Sequence, residues 1–340
     1  MSGEAVLVTG GSGYVGGWCV VRLLQQGYTV RASVRSLAKE SAARAAIARE
    51  APDQARLSFC ALELGSDEGW DKAVEGCDYV LHVASPLGVN NPKDPDELIV
   101  PAREGAKRAV GAALRAGVTR VVITSSVAAN HRDTDAGETV SDETVWSNPD
   151  SPRLSAYMKS KTIAERAAWD LASSMGAPGK LVSVNPTLIA GPVLSNDFSD
   201  SVKVIQRLLT GSVPGVPRLG WNFVDVRDLA DLHILAMTHP DAGGERFIGG
   251  GTFGWMGDVA DLLRARLGDA AGKVTRRRVP DFVIRLAALF DSELAYVAPG
   301  LGQRHDYSPA KALARLGWKS RPFEDTVLDC ARSLIAIGAG

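Results

Sequence analysis

Tyr157 and Lys161 stand four residues apart in Tyr157-Met158-Lys159-Ser160-Lys161. The stretch reads as helix as far as Ala172, so the two side chains share one helical face. A phenol with an ordinary pKa of about 10 exchanges protons poorly at neutral pH, and a nearby ammonium favours the phenolate and lowers that value. The spacing therefore predicts an acid–base pair in which Tyr157 moves the proton and Lys161 activates it. Taken alone, the Tyr-x-x-x-Lys pattern recurs by chance and describes many half-buried tyrosines beside surface lysines. A third group sharpens it. Thr124-Ser125-Ser126 closes a strand candidate at the carboxyl edge, where open α/β sheets bind ligands. A serine hydroxyl there can hold a substrate oxygen while Tyr157 donates or removes its proton, the division of labour that hydride transfer to a carbonyl requires. Two adjacent serines leave the register open between Ser125 and Ser126.

Hydride chemistry needs a nucleotide, and the N-terminal segment has the composition to hold one. Thr9-Gly10-Gly11-Ser12-Gly13-Tyr14-Val15-Gly16 follows the first apolar run and precedes a helical one, Val20-Val21-Arg22-Leu23-Leu24. Gly10, Gly13 and Gly16 permit a tight turn and close backbone approach, and the helix start at Tyr14 and Val15 offers unpaired N–H groups to a pyrophosphate. At the end of the second strand the chain reads Ala32-Ser33-Val34-Arg35, with no carboxylate for a ribose 2′-hydroxyl. Arg35 pairs instead with a 2′-phosphate, and Lys39 adds a second cation on the same helical face. The expected cofactor is NADP(H) rather than NAD.

These groups must be positioned by a scaffold, and the first 190 residues alternate short β-rich runs with helices, the pattern of a parallel sheet covered on both faces. Six strand candidates run Ala5 to Thr9, Thr29 to Val34, Arg56 to Leu62, Tyr79 to Val83, Arg120 to Thr124 and Lys180 to Val184. Helix candidates include Ala42 to Ala48 and Leu98 to Ala116, the latter stopped by Gly117. Beyond about residue 190 the alternation weakens, and Gly211 to Pro217 reads as an irregular loop. Phe223 to Val226 and then Arg227 to Met237 read as a strand and helix returning to the main sheet. Leu313 to Trp318 and Val327 to Ile337 suggest two amphipathic helices. The expectation is an α/β, Rossmann-type doubly wound sheet over 1–190 with a returning segment at 223–248. A smaller substrate lobe takes 191–222 and 249–340.

Composition removes other classes. In 340 residues, 45% apolar and 23% charged usage is ordinary for a globular chain, and the net charge of −1 offers phosphate backbones no general attraction. The basic cluster Arg276-Arg277-Arg278 is too short for a nucleic-acid stripe. Cys19, Cys60, Cys77 and Cys330 and the five histidines are scattered without metal spacing, so no metal site is expected. With neither an export signal nor a membrane span, the expectation is a cytoplasmic enzyme, monomer or homodimer, acting on a small carbonyl or alcohol.

Glycine turn, serine and Tyr-x-x-x-Lys in this order resemble the extended short-chain dehydrogenase/reductases over almost the whole chain. Val80-Leu81-His82-Val83-Ala84-Ser85-Pro86 and Asn185-Pro186-Thr187-Leu188-Ile189-Ala190-Gly191-Pro192 look like the dihydroflavonol and cinnamoyl-CoA reductases and related microbial aldehyde and ketone reductases. The resemblance selects Ser126 over Ser125. It implies cofactor contacts at Glu63 and Leu64 beside the adenine, at Val83, Ala84 and Ser85, at Thr124, at Pro186 and Thr187 against the nicotinamide, and at Ser201. The family usually has Asp where this chain has Glu63, and often Asn where it has Glu104, which puts a proton relay through position 104 in doubt. Trp146, Trp221 and Phe223 are candidates for the substrate wall, and loops near Leu87-Gly88, Val127 to Asn130 and Leu194 to Pro217 carry the substrate choice. The function expected is NADPH-dependent reduction of an aldehyde or ketone. The competing readings are an NAD-dependent sugar-nucleotide epimerase or dehydratase and a non-catalytic NADP-binding redox sensor.

Overall fold

The computed structural model describes residues 3–86, 92, 94–134 and 138–340, without the side chains of residues 292, 293 and 296. Leu87 and Gly88 lie outside the described residues. In chain order the strands are β1 (Ala5–Thr9), β2 (Thr29–Val34), β3 (Leu57–Ala61), β4 (Tyr79–His82), β5 (Arg120–Thr124), β6 (Glu138–Ser141), β7 (Leu181–Pro186), β8 (Leu188–Ala190), β9 (Gly220–Asp225), β10 (Arg246–Gly249), β11 (Phe253–Trp255) and β12 (Arg304–Tyr307). The helices that build the site are α1 (Tyr14–Gln25), α2 (Glu40–Ala48), α3 (Trp70–Val74), α4 (Asp96–Arg115), α5 (Ala156–Ser174), α6 (Asp200–Leu209) and α7 (Val226–Thr238).

Seven strands form one sheet in the order β10-β7-β5-β4-β1-β2-β3, every neighbouring pair parallel. The order reverses beside β1, as in doubly wound folds. All six strand candidates are present. The seventh, β10, comes from the C-terminal half and pairs with β7 through Arg246 and Ser183.

Burial on both faces explains the unbroken apolar runs of the strands. Val6 and Val8 pack on the side that includes Cys19 and Val20 of α1 and Leu229 and Leu232 of α7. Leu7 of the same strand, with Val80, Val121 and Ile123, packs on the other side with Ala106, Ala109 and Val110 of α4 and Ala168 of α5. The alternation is the period-2 geometry of a strand. α4 ends at a left-handed Gly117 (φ 75°), where the Gly117 N–H donates to Leu114 O.

The C-terminal half departs from the sequence expectation at one strand. Phe223 to Val226 does not return to the main sheet: β9 pairs in parallel with β8 and antiparallel with β11 in a separate three-stranded sheet. What returns is α7, packed beside α1, and then β10. Periodicity identifies a strand without naming its partner, so a short apolar run before a helix suits either sheet. β6 and β12 form a further parallel pair. The amphipathic segments near the C-terminus are helices over Ala310–Leu316 and Phe323–Ala336.

Candidate active site

Ser126 and Ser125 emerge from the end of β5 toward opposite sides, because the backbone is still extended at Ser126 (φ −165°, ψ 154°). Ser126 Oγ accepts the Ala128 N–H at 3.1 Å and thereby caps the short 3₁₀ turn Val127–Asn130. The Tyr157 hydroxyl lies 3.5 Å from the same oxygen. Ser125 turns the other way and donates to Glu165 Oε2. The structure thus brings Ser126, not Ser125, to Tyr157.

Tyr157 sits in the first turn of α5, whose N-terminus is capped by Ser155 accepting from the Met158 N–H at 3.3 Å. Lys161, one turn on, does not bond the tyrosine. Its ammonium lies 6.0 Å from the Tyr157 ring centroid and donates to Ser85 Oγ at 3.0 Å. Desolvation lowers its pKa to about 8, while Glu165 pulls in the opposite direction.

The expected lowering of the Tyr157 pKa is therefore corrected. It is raised: protein atoms crowd the hydroxyl even though 38% of the residue's surface is exposed, the Ser126 hydrogen bond offsets part of that desolvation, and Asp200 adds to it. An ammonium turned toward Ser85 leaves burial as the larger effect.

The glycine turn has the geometry its composition predicts. Gly10 is left-handed (φ 71°), and a Cβ on Gly16 would lie 2.1 Å from Gly10 O, so neither position takes a side chain without rearrangement. Gly13 precedes α1, and no side chain caps that helix start. Tyr14 is buried and donates to Gly191 O at 2.8 Å, tying the turn to the loop after β8, and Val15 packs partly on the core. Thr9 and Ser33, which sequence reasoning did not single out, hold the turn from below: Ser33 Oγ accepts the Gly10 N–H at 3.2 Å, and Thr9 Oγ1 accepts the Ala84 N–H at 3.0 Å and contacts buried His82 Nδ1.

Arg35 and Lys39 lie exposed after β2, and no ion pair or hydrogen bond engages either side chain among the described residues. Leu64, Ala84, Ser85, Thr124 and Lys161 line an open recess at the carboxyl edge of the sheet. Glu63 is exposed near its rim and Val83 is partly buried. Pro186 ends β7, and Thr187 donates its N–H to Gly249 O at 3.0 Å. Ser201 pairs with Ser199 at 2.7 Å at the start of α6, the helix whose Asp200 acts on Tyr157.

Four further candidates have packing or ion-pair partners of their own. Trp146 lies beneath the Arg246 guanidinium, 3.6 Å from its ring centroid, as a packing platform for that cation. Phe223 is buried in the core edge-on to Phe323, and Trp221 is partly buried against the same core. Glu104 faces away from the site and pairs with Arg103 at 2.6 Å and Lys107 at 3.3 Å.

Comparison with known proteins matches residues 6–249 to the NAD dependent epimerase/dehydratase family. The chain belongs to that family, the extended branch of the short-chain dehydrogenase/reductases. It is 37% identical over 266 residues to cinnamoyl-CoA reductase 1 of Petunia hybrida, covering 77% of each chain. It is 34% identical to dihydroflavonol 4-reductase of Hordeum vulgare, covering 70% of this chain and 68% of that one. Among solved structures, Gre2 from Candida albicans in complex with NADPH superposes with a TM-score of 0.78 at 25% identity, over 98% of this chain and 99% of that one.

Proposed function

We propose that this protein is an NADP-dependent oxidoreductase that reduces an aldehyde or ketone to an alcohol, with Tyr157 as general acid. The observation that carries the reading is the pair of hydroxyls on Ser126 and Tyr157, 3.5 Å apart at the end of β5. Two oxygens so placed converge on a single carbonyl oxygen. Reductase relatives at 34 to 37% identity support the same reaction class. The N-terminal sheet unit is the cofactor-binding part in this reading, and the segments after residue 190 that lie outside the main sheet form the substrate lobe.

The residues present fit a dinucleotide that carries a 2′-phosphate. Two exposed cations at Arg35 and Lys39, without partners among the described residues, suit a 2′-phosphate, and the turn at Gly10, Gly13 and Gly16 suits a pyrophosphate at the start of α1. When bound, NADPH supplies the hydride. Ser126 donates a hydrogen bond to the carbonyl oxygen, and Tyr157 passes its proton to that oxygen as the C–O double bond becomes single. The phenolate left behind is stabilised by the Lys161 ammonium and regains a proton from solvent. Lys161 and Ser85, hydrogen-bonded to each other in the recess, would hold the ribose of the bound cofactor.

The experiment is NADPH absorbance followed across aldehydes, ketoesters, aryl ketones and flavanonols. NADPH oxidation that exceeds NADH oxidation is expected with at least one class. No turnover with any carbonyl, together with NAD retained through purification, favours the epimerase reading instead.

A further inference from the structure

Glu165 lies one further turn along the face that carries Tyr157 and Lys161, and its side chain is fully buried. Its two oxygens gather five donors. Arg246 Nε reaches Oε1 at 2.7 Å and Ser183 Oγ reaches it at 2.8 Å, while Asn185 Nδ2 at 2.8 Å, Arg246 Nη2 at 3.3 Å and Ser125 Oγ all reach Oε2. These donors come from β7, from β10 and from the residue after β5, so one carboxylate ties α5 to three strand ends. Asn185 extends the tie, its Nδ2 also approaching Asn130 Oδ1 at 2.8 Å and the Ser126 carbonyl at 3.2 Å. Three acceptors around one nitrogen set the amide's orientation and leave Asn185 Oδ1 buried without a partner. Arg246 is held in turn by the carbonyls of Glu143 at 2.6 Å and Val145 at 3.0 Å.

We propose that Glu165, oriented by Arg246, is a positioning residue that holds the Tyr157–Lys161 face of α5 against the strand end carrying Ser126 and sets its carboxylate one helical turn from the Lys161 ammonium. The proposal rests on the reductase reading for its consequence in catalysis, but its electrostatic half concerns Lys161 alone. Around Lys161 the charged or titratable groups are Tyr157 and Glu165 on its own helix and His82 from β4, with Asp200 of α6 acting on Tyr157. Burial holds His82 neutral down to a pKa of about 4, so it adds no cation at neutral pH. Among the described residues, Glu165 is the group whose charge opposes the desolvation of Lys161. Neutralising it removes that attraction and leaves the Arg246 charge unmatched in the same buried cluster, and both changes disfavour the ammonium.

The test replaces Glu165 and reads Lys161 in two ways: by NMR titration of ¹³C-labelled lysine, assigned with Lys161→Arg, and by the alkaline limb of the kcat profile with NADPH and an accepted carbonyl. In Glu165→Gln the Lys161 titration and the limb are expected to move down together by about one pH unit, the order of an opposite charge nearby. Glu165→Asp, which keeps the charge, and Ser125→Ala, which removes a neutral donor, should leave both near their wild-type positions. If Glu165→Gln does not fold, Glu165→Gln with Arg246→Met removes both charges, and a downward shift, smaller than with Arg246 left unmatched, should persist because the attraction of Glu165 for Lys161 is lost in either case. An unmoved Lys161 titration in any folded variant that carries Glu165→Gln overturns the proposal. Wild-type protein that oxidises NADPH with no carbonyl counts against the reductase reading instead, and the NMR titration still decides the role of Glu165.

Discussion

The Tyr157 hydroxyl donates to Ser126 Oγ at 3.5 Å, while Ser125, the neighbour of Ser126 in the chain, donates to buried Glu165 on the far side of the strand end. The two serines are therefore separable by mutation. Ser126→Ala should lower kcat by about 2 to 4 kcal/mol of transition-state stabilisation, the scale of one lost oxyanion donor. Ser125→Ala should lower it much less, because Glu165 keeps its Ser183, Asn185 and Arg246 donors. Measuring kcat for both variants on one substrate checks the assignment, and a larger loss in Ser125→Ala reverses it.

Tyr157→Phe should keep the fold and NADPH binding while lowering turnover by about 10² to 10⁴, the usual worth of a positioned acid–base group. Fluorescence titration with NADPH and steady-state rates on the same preparation separate binding from chemistry. Near-normal turnover removes Tyr157 from the mechanism.

Arg35→Asp should weaken NADPH use and improve relative use of NADH, since the acid repels a 2′-phosphate and accepts from a 2′-hydroxyl. Arg35 is exposed and holds nothing else in place, so thermal stability should stay near that of the parent. An unchanged ratio of kcat/KM for the two cofactors would place Arg35 outside the site.

Activity should fall as pH rises through about 8, where Lys161 loses its proton. Below that value the ammonium is present and stabilises the phenolate, and above it the support disappears. A rate profile flat from pH 7 to 9.5, with cofactor saturation verified at each pH, contradicts this assignment.

Stability should fall in mild acid. His82, His131 and His233 are each held by burial at a pKa of about 4, below the ordinary histidine value of 6.5. The unfolded chain takes up their protons first, so a stabilising contribution present above about pH 6.5 is lost as pH falls toward 4. Melting temperatures measured from pH 7.5 to 4.5 should decline, and a His233→Gln variant should decline less steeply.

Much of the site was legible because the relevant signals are local. The turn from Gly10 to Gly16 lies within one strand–helix junction, and the Tyr157–Lys161 pair follows from one helical turn; both depend only on backbone period and steric size. The boundaries of β2 and β5 coincide with the apolar runs for the same reason. Glu165 continues the 157–161 spacing by another four residues and could have been found by extending the helical face. Its partners could not, because Ser125, Asn185 and Arg246 are brought together from three strands, and no sequence period links them. The separate sheet of β8, β9 and β11 was equally hidden, since strand pairing depends on which edge is free after the chain has folded. The direction of the Tyr157 pKa shift was also a tertiary matter: spacing put an ammonium one turn away, and only packing turned it toward Ser85 and buried the phenol hydroxyl. Side-chain types and local periods are properties of the chain alone, whereas desolvation and hydrogen-bond choice belong to the packed interior and are settled only when distant segments meet.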